Sequence, residues 1–288
     1  MIAVFAQGGL GNQLFQYATA RAVALRHGTT LVIDPSWYQE HVPKRTPRSL
    51  GLTGCRIVAR MAMPDEAIRF AGLRGPLRSR LPVGRPWHPL RERQLNFQRR
   101  VLDAPEGSYL IGYWQSWRYF DSIRSVLLQE TLPVAPLDGP DAELGAMMAG
   151  TDSIAVHVRR GDYVAVAATA AYHGICAPSY YGQAVGALAS GLRDPVAFVF
   201  TDDPSWVREH LRLPIRYEIV ERHGPDAALA DLALMRQCRH FAIANSSYSW
   251  WGAWLGTHPR KRVAAPARWY ADGRATPDLL PPDWRRLE

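Results

Sequence analysis

Residues 157–163, HVRRGDY, follow the apolar run Ile154–Val156. If a strand runs on to Arg159, side-chain alternation puts His157 and Arg159 on the face opposite Ile154, Val156 and Val158. Both then sit at the strand's C-terminal end. Arginine there is suited to a diphosphate, because its planar fork makes two charge-assisted bonds and never loses its charge. A histidine beside it can take a nucleotide's base or ribose. Two other readings compete. One is a solvated loop with ion pairs; the other is an adhesion tripeptide, Arg160-Gly161-Asp162. The tripeptide is frequent by chance, and nothing in the chain looks secretory.

Two further stretches carry the same kind of chemistry. QGGLGNQLFQYA, residues 7–18, places Gly8, Gly9 and Gly11 where a first strand turns into a helix. Such glycines let main-chain N–H groups approach a phosphate; a tight turn without ligand is the alternative. A dinucleotide fingerprint needs a small residue where Leu14 stands, although Asp34 ends the second strand as that fingerprint asks. A Walker loop is excluded, since no Gly-Lys-Ser/Thr follows. Asn12 and Gln13 at the helix start favour a functional turn. In DLALMRQCRHFAIANSSYSWWGAWL, residues 231–255, Asp231 lies on a helix. Ser246 and Ser247 precede another, as caps or as anion contacts. Trp250, Trp251 and Trp254 read as core. Asp202 and Asp203 in FTDDP pair two carboxylates at a strand end, for a divalent cation or as an ordinary helix start. YWQSWRYF, residues 113–120, gathers aromatics with Gln115 and Arg118.

Positioning these residues takes parallel sheets. IAVFA, a helix over 12–27 and TLVI form a strand–helix–strand unit. Residues 41–108 show little periodicity, with a helix expected between 90 and 101. A strand over 109–113 and a helix over 121–132 close the first half. LPVAPLDGPD, residues 132–141, reads as a linker. Strands are then expected at 153–158, 196–201, 216–220, 241–244 and 262–265, with helices at 179–192, 204–212, 226–237 and 247–257. This predicts two α/β domains, 1–135 and 136–288, with a cleft between strand ends where α/β ligands bind.

Bulk properties bound the function class. The chain has 288 residues, 47% hydrophobic and 21% charged, enough for a sizeable core without staples. Lys+Arg 34 against Asp+Glu 26 gives +8, and only Lys44 and Lys261 are lysine. That sign fits an anionic substrate, a nucleic acid or a membrane surface. Cys55, Cys176 and Cys238 are scattered, which favours a reducing compartment over a disulfide framework or zinc site. MIAVFAQGG reads as a strand rather than a signal peptide, and no run is long enough to span a bilayer. The expectation is a cytoplasmic protein, with peripheral contact to the inner membrane face open.

Four stretches in order, QGGLGNQLFQYA, GYWQSWRYF, HVRRGDY and IANSSYSWWGAWL, resemble the α-1,2-fucosyltransferase family, glycosyltransferase family 11. The resemblance implies a GT-B architecture, with two Rossmann-like domains of parallel sheets facing across a cleft. The N-terminal domain would bind the acceptor and the C-terminal domain the donor. It implies inverting, metal-independent transfer from GDP-β-L-fucose to a galactose 2-hydroxyl, on an oligosaccharide or glycolipid-type acceptor, with no cofactor and no nucleic acid. Arg159 would hold the β-phosphate, with Arg160 beside it. His157 and Asp231 would contact guanosine, Ser246 and Ser247 the diphosphate, and Asn12 the donor from the opposite domain. Inversion wants a base, for which Asp162 is preferred over His173; Asp162 holding the turn in place is the other reading. The competing functions are a nucleotide-binding oxidoreductase using Gly9, Gly11 and Asp34, another sugar-nucleotide glycosyltransferase, the adhesion module and a basic nucleic-acid binder.

Overall fold

In the computed structural model the described residues are 1–39, 48–74, 87–165, 167–221 and 228–288, without the side chains of 162, 165 and 167–169. The chain divides into two compact units. Unit 1 is Met1–Leu132 with Pro277–Leu279, and unit 2 is Pro133–Thr276 with Leu280–Glu288.

Unit 1 runs β1 (Ile2–Phe5), α1 (Leu10–Arg26), β2 (Leu31–Asp34), β3 (Arg60–Met61), α2 (Pro64–Arg74), β4 (His88–Arg91), α3 (Arg99–Leu102), β5 (Ser108–Ile111) and α4 (Arg124–Glu130). The sheet order is β3-β2-β1-β5-β4, and every pairing is parallel. The apolar β1 is buried along its length at the sheet centre. Ala3, Phe5, Val32, Phe70 and Tyr109 form a core beneath α2. α1 is not the one-faced helix its spacing suggests: Leu14, Phe15, Ala18, Ala22 and even Gln13, Gln16 and Thr19 are buried. The sheet and the 51–54 turn both pack against it. A helix covered on several sides no longer sorts polar from apolar residues by face.

Three expectations in this region are corrected. The helix between 90 and 101 is an edge strand, His88–Arg91, and one late helical turn, Arg99–Leu102. β4 pairs only with β5, and at such an edge Pro89 costs no ladder bond. The helix over 121–132 opens as a 3-10 turn, Asp121–Ile123, and α4 itself begins at Arg124. The linker ends at Asp138, since Gly139-Pro140 opens a twelve-residue helix. Proline suits the first turn, where its missing N–H is not needed.

Unit 2 runs α5 (Gly139–Gly150), β6 (Asp152–Val158), α6 (Gly161–Ala165), α7 (Ala167–His173), α8 (Pro178–Ala189), β7 (Pro195–Thr201), α9 (Pro204–His210), β8 (Tyr217–Ile219), α10 (Ala228–Met235), β9 (His240–Ala242), α11 (Ser247–Leu255), β10 (Val263–Pro266) and β11 (Arg285–Leu287). Its sheet, β11-β10-β9-β6-β7-β8, is also parallel throughout. The expected helix over 226–237 is seen from Ala228; residues 226 and 227 lie outside the described residues. Ile154, Val156 and Val158 pack on Tyr180, Tyr181, Ala184 and Val185 of α8. Trp250 and Trp251 are fully buried and Trp254 nearly so, as core residues.

α10 and α11 lie close because Gly252 has no side chain; a Cβ there would overlap the sulfur of buried Met235. Gly252→Ala should therefore destabilise the protein by about 1–3 kcal/mol through overpacking. Equilibrium urea unfolding checks this, and an unchanged midpoint would mean that Met235 swings aside at no cost.

Candidate active site

In unit 2 the chain builds outward on one side of β6 and then on the other, while in unit 1 it builds outward from β1 to β3, crosses to the β4 edge and returns inward to β5. In unit 2 the reversal falls between β6 and β9, in unit 1 between β1 and β5. The crevice beyond the strand C-termini at such a reversal is where open α/β sheets bind ligands. HVRRGDY leaves β6 and Asn245-Ser246-Ser247 leaves β9, so these two motifs flank one crevice. GGLGN leaves β1 and GYWQS leaves β5, so these two flank the other.

In unit 2, β6 stops at Val158, and Arg159 is the first residue past it. His157 is buried, with its ring 5.4 Å from that of Tyr248 on α11. Burial pushes the imidazole down to about 4, opposed by Asp202 and reinforced by Arg159. The ring is therefore neutral at physiological pH. Its Nδ1 is buried without a hydrogen-bond partner, a costly state for a polar atom unless something else supplies the bond. Arg159 Nη1 lies 2.7 Å from Asp202 Oδ2, and its guanidinium stands 5.6 Å from the Tyr163 ring centre.

Ser246 is the N-cap of α11, its hydroxyl accepting from Tyr248 N–H at 3.3 Å. Ser247 is only half-buried at the open end of the helix. The Tyr248 hydroxyl donates to the Ala228 carbonyl at 2.6 Å, one turn before Asp231 on α10. Asn245 fixes the loop ahead of the cap: its Nδ2 donates to the carbonyls of His173 at 2.7 Å and Trp269 at 3.2 Å. At the far end of α11, Lys261 Nζ donates to the Ala253 and Gly256 carbonyls at 2.7 and 2.9 Å. That cation offsets the helix's negative end and leaves its positive end facing the crevice.

His157, Arg159, Ser246 and Ser247 thus gather at one reversal point, with Asp231 on the neighbouring helix. Arg160 turns away, its Nε 3.2 Å from Asp203 Oδ2 and its guanidinium 4.0 Å from the Trp206 ring centre, on the α9 side. Asp162 lies within α6, and its side chain is outside the described residues. His173 stacks on Tyr163 at 4.6 Å. The adhesion tripeptide is no protruding loop: Gly161 opens α6, and its N–H is tied to Asp202 at 3.1 Å.

The paired carboxylates of FTDDP are spent on cations and amides. Asp202 takes Arg159 and the N–H groups of Arg160 and Gly161; Asp203 takes Arg160 and caps α9 through Trp206 N–H at 3.1 Å. Among the described residues no group of three or more His, Cys, Asp or Glu is placed to hold a metal. Asp202 as the partner of Arg159 escapes sequence reasoning. The signal lies in the β6–β7 register, where Val158 stands opposite Thr201, so that the next residue on each strand meets its counterpart.

In unit 1, Gly8 holds φ +79°, and a Cβ there would stand 2.8 Å from Asn12 Nδ2. The glycine thus makes room for that amide. The Gly8 carbonyl accepts from Tyr38 OH and Gln13 Nε2, both at 3.0 Å. Asn12 Oδ1 accepts from Gln115 Nε2 at 2.8 Å across the β1–β5 reversal. Gln115 follows Trp114, a buried residue at φ +57°, a conformation that costs about 1–3 kcal/mol. The Glu92 carboxylate secures it by accepting from the N–H groups of Tyr113 at 2.7 Å and Trp114 at 3.0 Å. Asp34 is wholly buried, its oxygens taken by Tyr109 OH at 2.6 Å, Arg74 at 3.2 Å and Ser36 N–H at 3.0 Å. Together with the buried Leu14, this leaves the dinucleotide reading without its ribose contact.

Comparison with known proteins identifies the family. The family described as Glycosyl transferase family 11 matches residues 93–288. The chain belongs to glycosyl transferase family 11. Relatives of this family 11 glycosyltransferase include an alpha-1,2-colitosyltransferase of Escherichia coli, 29% identical over 98% of this chain and 97% of the relative. Another is the galactoside 2-alpha-L-fucosyltransferase SEC1 of Bos taurus, 27% identical over 87% of this chain and 63% of the relative. Among solved structures, the fucosyltransferase NodZ from Bradyrhizobium superposes with a TM-score of 0.50 at 18% identity, covering 87% of this chain and 90% of NodZ. This places the two parallel-sheet units in the GT-B fold class.

Proposed function

We propose that this chain transfers L-fucose from GDP-β-L-fucose to the 2-hydroxyl of a galactose residue on a glycan, inverting the anomeric carbon to an α-1,2 linkage without a metal. The observation that carries the reading is Arg159, set beside the N-terminus of α11 at the β6–β9 reversal. As the anomeric C–O bond breaks, the sugar gains oxocarbenium character and negative charge grows on the GDP oxygens. Arg159 and the positive N-terminal end of α11 at Ser246 and Ser247 stabilise that charge where it develops. His157, neutral and with Nδ1 unspent, suits an uncharged hydrogen bond from guanosine, and Asp231 faces the same ligand as an acceptor. Arg160, held on Asp203 and Trp206, supports the turn that carries Arg159. Asp162 takes the acceptor proton or holds the α6 turn. Unit 2 binds the donor and unit 1 the acceptor, free or lipid-linked, on the cytoplasmic side of the membrane.

The test is GDP release from GDP-fucose with lactose as acceptor, with and without EDTA. Release in both is expected, with an α-1,2-linked product by mass and linkage analysis. No release with any β-galactoside would overturn the acceptor, and loss in EDTA would overturn the metal-free step. The similarity to a colitosyltransferase keeps a second donor sugar in view, and a GDP-colitose arm with faster turnover would reassign it.

A further inference from the structure

Asp202 is the residue on which the HVRRG segment closes. Arg159 Nη1 reaches its Oδ2 at 2.7 Å, while Oδ1 accepts from Arg160 N–H at 2.8 Å and Gly161 N–H at 3.1 Å. A permanent cation with two successive main-chain N–H groups is the donor set of an anion site. Here the anion is the chain's own. Gly161 permits the approach, since a Cβ there would lie 2.7 Å from Asp202 Oδ2. Arg159 and Asp202 keep 21% and 27% of their side-chain surface exposed, so an incoming anion can reach the same fork. Burial alone would raise the Asp202 carboxyl; Arg159 and the two amides outweigh it and hold the group below the usual carboxylate range.

We propose that Asp202 is a positioning residue and the resident counter-ion of Arg159: it aims the guanidinium and sets the Arg160–Gly161 turn before ligand arrives, and the donor's diphosphate then takes Arg159 over. This rests on the diphosphate-donor reading above. The exchange has two opposite consequences. A carboxylate beside the diphosphate repels it and competes for Arg159, which weakens ground-state binding. The same carboxylate keeps Arg159 aligned for the charge that develops later, which speeds turnover.

Asp202→Asn should therefore bind GDP about fivefold or more tightly while kcat falls by about 10²-fold, the cost of a misplaced catalytic group. A carboxylate that merely supported the fold would lower both. In an Arg159→Ala background the gain in GDP affinity should vanish. Gly161→Ala keeps every charge but displaces the carboxylate from its place on Arg159, so kcat should fall, and normal kcat in that variant overturns the proposal. Calorimetric titration of GDP and initial rates read all of these. GDP binding by the unaltered chain with no gain in Asp202→Asn overturns this proposal alone. No GDP binding by the unaltered chain overturns the donor reading, and this proposal with it.

Discussion

Arg159→Lys should lower kcat with GDP-fucose and a β-galactoside by about 10²–10³-fold, the usual cost of removing one preorganised donor from a developing anion. The charge is kept in this variant, so the loss isolates geometry. The guanidinium holds Asp202 through Nη1 at 2.7 Å, and its rigid planar fork is built to grip an oxyanion bidentately as well. A lysine ammonium is a single hydrated point with no fixed fork, and it cannot do both at once. Arg160→Lys serves as the contrast. Arg160 lies on Asp203 and Trp206 at the α9 side, so its replacement should cost far less in kcat. Initial rates at saturating donor decide the matter. Near-normal turnover in Arg159→Lys, or an equal loss in Arg160→Lys, would remove Arg159 from the central role.

What the sequence disclosed about this site and what it concealed separate along one physical line. Local pattern carries period, caps and turns. The strand before HVRRGDY, the Ser246 cap and the glycine turn at 8–9 are visible because neighbours in sequence make them. Sheet order is a long-range choice, and the contacts that depend on it stay hidden. Asp202 meets Arg159 only because β7 pairs with β6 in one register. Glu92 secures Tyr113 and Trp114 from twenty-odd residues away because β4 lies beside β5. The short edge strand HPLR has neither alternation nor a β-branched run, so only its partner defines it. Polar residues misled for a related reason. Gln13 at a helix start looks like a ligand contact, yet it is wholly buried and bonds Gly8, Ser49 and Leu52, stitching the glycine turn to the chain beneath it. Asn12, one residue earlier, is the side chain left at the crevice.

Glu130→Ala should destabilise the protein by about 3–5 kcal/mol, because it strands a buried arginine without its counter-charge. Arg21 on α1 grips the Glu130 carboxylate through Nη2 at 2.7 Å and Nε at 3.0 and 3.1 Å. Tyr17 OH donates to the same carboxylate at 2.5 Å and accepts from Val58 N–H at 3.0 Å. The two charged side chains keep 12% and 9% of their surface. Distance alone does not set the effect, since Arg216 and Asp194 also stand 2.7 Å apart. That pair is 63% and 76% exposed, and breaking it should cost only about 0–1 kcal/mol, as water replaces what is lost. Glu130→Gln separates charge from shape: it leaves Tyr17 an acceptor but leaves Arg21 uncompensated, so most of the loss should persist. The consequence reaches the site through α1, whose first turn carries Asn12 and whose middle is tied by Arg21 to the end of α4. Urea unfolding of the four proteins, fitted with separate transitions where the two units melt apart, gives the ranking. If Glu130→Ala cost no more than Asp194→Ala, the buried pair would be behaving as a solvated one, and burial would not be what makes it matter.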